Sequence, residues 1–175
     1  MNERQAFERL VLPHLDAAYN LARWLLRSDQ AAEDAVQDAA MRAFRYIDSL
    51  RGADARPWLL GIVRNTCFSA MERVRHTPQQ VEFDEAEFEA ALADGARGTD
   101  PAVELQRRHT RLEVDAAIRA LSPPLREVIV LREFEDLDYA QIAQIAGVPI
   151  GTVMSRLSRA REKLRGVLSL TILGE

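Results

Sequence analysis

The sequence is short of the residues that build covalent or metal frameworks. Cys67 is the sole cysteine, so neither an internal disulfide nor a multi-cysteine zinc site is available. His14, His76 and His109 stand far apart and show no metal-ligand spacing. No apolar run approaches the roughly 18–20 residues that a membrane-spanning helix needs. The opening MNERQAFERL lacks the apolar stretch of a secretory signal. There is no glycine-rich phosphate loop and no nucleophile elbow. These absences argue against a secreted, membrane-spanning or enzymatic chain. They point to a reducing cytoplasm, with no catalytic residue, metal or cofactor expected. Lysine is almost missing too: of 23 basic side chains, only Lys163 is not arginine. A GC-rich genome accounts for that bias, although arginine also suits phosphate and base contacts.

What remains is a chain of 175 residues, 47% hydrophobic and 29% charged, a globular balance that allows one ordinary domain or two small ones. Its net charge of −4 argues, taken whole, against a strongly basic nucleic-acid binder, but the charge is segregated. Residues 1–76 carry 11 arginines against 10 acids, and residues 105–175 carry 11 basic residues against 9 acids. Residues 77–104 carry only Arg97 against eight acids, and also hold Pro78, Gly95, Gly98 and Pro101. The middle therefore reads as an acidic linker, with one short helix around Glu85–Ala93.

The flanking zones read as helices, with no strand alternation long enough for a sheet. Phe7, Leu10, Val11, Leu15, Ala18, Leu21 and Leu25 recur at three- and four-residue steps and predict a first helix. Ser28 or Asp29 caps a second, from about Gln30 to Tyr46. A third runs from Pro57 to Arg75, with Pro57 at its first position. Further on, a helix spans about Ala102–Ala120, and Ser122 with Pro123 opens the next. Asp138 and Gln141 form a capping-box variant before a short helix, Tyr139–Ala146, ended by Gly147. A last helix runs from near Pro149 to about Leu168. The fold class is all-α: two small helical domains joined by an acidic linker.

The segment Tyr139–Lys163 carries the strongest local signal. A helix-turn-helix needs a small residue where its helices approach, a glycine at the turn, and an apolar residue locking the angle. Ala143, Gly147 and Val153 meet those needs in order. Val153, Leu157, Ala160 and Leu164 form a buried stripe on the second helix. The other side presents Thr152, Ser155, Arg156, Arg159 and Lys163, a polar, basic face suited to a major groove. Arg156 is the best candidate for a base contact, while Arg159, Arg161, Lys163 and Arg165 suit phosphates.

With these motifs in view, both ends of the chain resemble an extracytoplasmic-function (ECF) sigma factor, a small promoter-recognition subunit of bacterial RNA polymerase. LSPPLREVIVLREFEDLDYAQIAQIAGVPIGTVMSRLSRAREKLR is similar to that family's C-terminal domain, which binds the −35 element. QAAEDAVQDAAMRAFRYIDSLRGADARPWLLGIVRNTCFSAMERVR is similar to its N-terminal domain. The resemblance covers roughly residues 5–76 and 110–166. It implies a core-binding and −10 domain at 1–76, a linker at 77–104 and a −35 domain at 105–175.

Carried over by position, Glu33, Asp34, Val36, Gln37, Asp38, Met41 and Phe44 lie on the helix that docks on core polymerase. Leu50–Arg75 matches the part that melts and reads the −10 element. Arg51, Arg56, Trp58, Arg64 and Asn65 supply cations, a stacking surface and a polar contact for an unstacked strand. Trp58, beside Leu59 and Ile62, also fits a core position. Met154 and Ser158 stand where many relatives carry basic residues. The resemblance further implies an anti-sigma partner, and acids of Val81–Glu89 that aid polymerase engagement. The apolar end Val167–Leu173 packs on its own domain or on a partner. The alternative is a helix-turn-helix regulator with an N-terminal sensing or dimerisation domain.

Overall fold

The computed structural model describes residues 2–52, 54–76 and 100–173, with side chains to Ser169. The short helix expected at Glu85–Ala93 and the acids of Val81–Glu89 lie outside the described residues. Among the described residues there are helices and turns and no strand. In chain order they are α1 (Glu3–Leu10), a 3₁₀ turn (Leu12–His14), α2 (Leu15–Leu26), α3 (Asp29–Arg45), a 3₁₀ turn (Ile47–Ser49) and α4 (Ala55–Arg75). After the linker come α5 (Pro101–Ala120), α6 (Pro123–Ile129), a π-turn (Val130–Phe134), α7 (Tyr139–Ala146) and α8 (Ile150–Leu173).

Local chemistry sets these boundaries, and in places it moves them from the sequence expectation. The single helix expected across Phe7–Leu25 is broken in two. Pro13 lies in the 3₁₀ turn between α1 and α2, where it has no N–H to give and its ring would strike the carbonyl a turn earlier. Helix α4 begins at Ala55 rather than Pro57, because the Asp54 carboxylate accepts the Arg56 N–H at 3.1 Å and caps it there. Ser122 precedes α6 but its side chain makes no capping bond. Pro124 removes one of the two N–H groups a cap would bind, and the Leu125 N–H already bonds the Ser122 carbonyl. Helix α5 starts at Pro101, so residues 101–104, expected in the linker, are helical. Helix α8 runs on to Leu173, five residues past its expected end.

Helix α4 is the centre of the molecule. One side packs on α2 and α3, where the small Ala18, Ala22, Ala32, Ala39 and Ala43 are fully buried and let the helices approach closely. Its other side packs on α7 of the C-terminal domain, and α2 packs on α6. Gly61 of α4 lies at that contact: a Cβ built there would stand 4.0 Å from the Ile145 backbone, an ordinary van der Waals distance. The C-terminal domain closes around Val128, Leu131, Ile142, Val153 and Leu157, and one continuous apolar core joins the two domains. They are therefore packed together and not merely tethered.

Candidate nucleic-acid interface and partner face

The helix-turn-helix forms as its sequence dictates. The Asp138 carboxylate accepts the Gln141 N–H at 2.8 Å and the Gln141 side-chain oxygen accepts the Asp138 N–H at 3.0 Å, completing a capping box on α7. Gly147 adopts φ 67°, the left-handed turn that glycine takes without strain, and its N–H bonds the Ala143 carbonyl. Val153, Leu157 and Ala160 are buried against α6 and α7, so they fix which side of α8 faces out.

The outward side carries Ser155, Arg159 and Lys163, all exposed, with Thr152 half-buried. The Ser155 hydroxyl donates to the Thr152 carbonyl at 3.0 Å. Arg161 turns aside: it pairs with Glu133 at 3.1 Å and also bonds Tyr139. Arg156, the best candidate for a base contact, is placed differently from its exposed neighbours. It is half-buried, and one guanidinium nitrogen, Nη1, is buried with no hydrogen-bond partner among the described residues.

The residues expected at the −10 element divide. Arg51 and Asn65 are exposed, and Trp58 is half-buried against the core. Arg56 and Arg64 bridge the two domains. Arg56 donates to the Glu135 carboxylate at 2.7 Å and to the Glu135 carbonyl at 2.8 Å. Asn20 of α2 donates to the other Glu135 oxygen at 2.8 Å. Arg64 donates through Nε to Glu127 at 2.6 Å, lies over the Phe68 ring at 3.8 Å and reaches the Asn65 side chain at 3.3 Å.

Sequence reasoning missed the acceptors of these bonds, and with them Arg126. Arg126 is only 3% exposed and bonds the Trp24, Leu25 and Leu121 carbonyls, closing the C-terminal end of α2. Burial, then the charge of Arg27, lowers its pKa to about 10, which leaves it charged at neutral pH. Glu127 is 0% exposed. Burial pushes its carboxyl above the usual range, against the bond and charge of Arg64 and the charge of Arg156. Burial, then the Glu127 charge, pushes the neighbouring Cys67 thiol up to about 12. The signal was present in LREVIVL: two charges inside a run whose apolar residues leave no solvent side.

Helix α3 carries the residues expected to meet core polymerase. Glu33, Asp34, Gln37, Met41 and Phe44 are exposed, while Val36 and Asp38 are half-buried. Met41 is 66% exposed and Phe44 42%, an unusual display of apolar surface. Phe44 meets the Phe7 ring edge-on at 5.4 Å, and Phe7, Ala40, Met41 and Phe44 line one shallow groove. The residues expected to meet core polymerase all lie on α3, whereas Arg56 and Arg64 lie on α4.

Among the described residues, an open basic helix-turn-helix stands behind a second helical domain, and the families that match assign this arrangement to the class of sigma-70-type promoter-recognition factors. The family Sigma-70 region 2 matches residues 10–77 and Sigma-70 region 4 matches residues 111–164. The RNA polymerase sigma-H factor of Pseudomonas aeruginosa is 34% identical over 93% of this chain and 86% of its own length. The ECF RNA polymerase sigma-E factor of Escherichia coli K12 is 33% identical with the same coverage. Among solved structures, the sigma factor RpoE in complex with the anti-sigma factor NepR, from Bartonella quintana, shares 30% identity and a TM-score of 0.68, covering 94% of this chain and 97% of that one. CnrH in complex with the cytosolic domain of CnrY has the same fold, with 24% identity, a TM-score of 0.65 and coverage of 95% and 89%. The chain belongs to the ECF sigma factors of bacterial RNA polymerase. It binds core polymerase and directs promoter recognition and opening for transcription initiation. Among the described residues, no helix is long and apolar enough to cross a membrane.

Proposed function

We propose that α8 is the −35 reader, with Thr152, Ser155, Arg156, Arg159, Arg161 and Lys163 as its contacts. The observation that carries this reading is the open polar face of Ser155, Arg159 and Lys163 on a helix whose other side is locked by Val153 and Leu157. Arg51, Arg56, Trp58, Arg64 and Asn65 serve the −10 element. The α3 face of Glu33, Asp34, Val36, Gln37, Asp38, Met41 and Phe44 docks on core polymerase. The domains divide at 1–76, 77–104 and 105–175, except that the last four residues of the middle segment already belong to α5. The protein works in the cytoplasm without catalysis of its own, and an anti-sigma factor holds it in reserve, as the complexes of its structural relatives suggest.

Arg56 and Arg64 are occupied by Glu135 and Glu127 while the domains are packed. These pairs must part before either arginine meets DNA, so core polymerase has to separate the domains.

In vitro transcription with purified core polymerase tests this reading. Specific starts on a genomic template, lost together with core binding when Met41 and Phe44 are replaced by Glu, are expected. A chain that binds duplex DNA by itself and supports no initiation would instead be a helix-turn-helix regulator.

A further inference from the structure

Helices α6 and α8 pack together, and each holds a buried polar side-chain atom without a hydrogen bond. One is Glu127 Oε2, the carboxylate oxygen that Arg64 does not use; the other is Arg156 Nη1. One is an acceptor and one a donor, and the charge of Arg156 already acts on Glu127. Arg64 belongs to α4 of the N-terminal domain, whereas Glu127 and Arg156 both belong to the C-terminal domain. Separating the domains therefore removes one of the two arginines from Glu127 and leaves the other.

We propose that Glu127 is a positioning residue for −35 recognition: it is held by Arg64 while the domains are packed, and it takes Arg156 as its partner when they part. The proposal rests on the sigma reading of α8 given above. When α4 leaves, Glu127 keeps the attraction of the remaining cation, because Arg156 stays with it on the C-terminal domain. A guanidinium has five N–H donors in a rigid plane. Fixing one edge on Glu127 leaves the other edge oriented for a base, and cuts the freedom that a long arginine side chain would lose on binding. The same event releases Arg64 toward the melted strand, so opening the molecule prepares both DNA contacts at once.

The test uses full-length protein assembled with core RNA polymerase. The probe is a promoter fragment mapped with wild-type holoenzyme, compared with the same fragment after shuffling of its −35 hexamer. Glu127→Gln is expected to lower the ratio of the two affinities about tenfold, while core affinity, eased by the weaker domain packing, does not fall. Glu127→Asp, which keeps the charge and folds if the larger change does not, is expected to recover part of that ratio. Arg156→Ala added to Glu127→Gln is expected to cost little more. An unchanged ratio in Glu127→Gln, even with a lowered melting temperature, overturns the proposal, as do losses from Glu127 and Arg156 that simply multiply. A wild-type holoenzyme with no −35 preference at all would overturn the sigma reading of α8, and the proposal with it.

Discussion

Arg156 and Arg159 lie three residues apart on α8, yet their guanidinium groups meet different surroundings. Arg159 is exposed, so it suits a phosphate contact. Arg159→Ala is expected to weaken holoenzyme binding evenly across DNA sequences and to reduce the salt slope by about one, read by fluorescence anisotropy over a salt series. Arg156→Ala is expected to cost about 1–3 kcal/mol on the true −35 element and much less on a shuffled one. Glu127 has a different readout. Burial raises its carboxyl above the ordinary 4.5, so the folded state binds the proton more tightly than the unfolded one. Its contribution is greatest at and below that ordinary value and is lost as pH rises through the raised one. Asp115, raised by burial against the charges of Arg119 and Arg111, acts with the same sign. Urea melts at several pH values are expected to show Glu127→Gln gaining on the wild type as pH rises. A constant difference between the two would refute this. These residues escaped the sequence reading because burial of a charge depends on which helix covers it.

The helices themselves differ in how they are specified. The α7–turn–α8 unit was legible down to single residues, since the Asp138–Gln141 box, Gly147 and the Val153–Leu157 stripe act within a few positions of one another. Gly147→Ala meets no neighbouring atom within 4 Å, so its cost is backbone strain at φ 67° alone. A loss of about 1 kcal/mol is expected in chemical denaturation. The α3 face was legible as a pattern, but its meaning came from the resemblance. Met41→Glu is expected to leave the melting temperature unchanged, because the side chain is 66% exposed, while core polymerase affinity falls; a pull-down with purified core measures it. The first helix was misread because apolar periodicity continues through Pro13, although hydrogen bonding does not. Periodicity reports which face is buried, and it is blind to a local break that keeps the face in register.

For the molecule as a whole, the decisive feature is the contact between α4 and α7. Gly61 sits at that contact, and an alanine Cβ there would make only an ordinary van der Waals approach to Ile145. Gly61→Leu is expected to wedge the domains apart and raise the radius of gyration in small-angle scattering, while Gly61→Ala leaves it unchanged. Equal radii for both variants would mean that the interface does not depend on this approach. Removing one partner of the Arg64–Glu127 pair costs about 3–5 kcal/mol of that packing, since it strands a charge that water cannot reach. By itself the sequence determined the helices, their caps, the buried stripes and the basic outer face of α8, because each follows from interactions a turn or two long. Only the tertiary structure decided that Arg56 and Arg64 are held by Glu135 and Glu127, and that Arg156 turns inward. Those pairings join residues 63 to 79 positions apart, and no local pattern encodes which buried carboxylate a distant arginine will find.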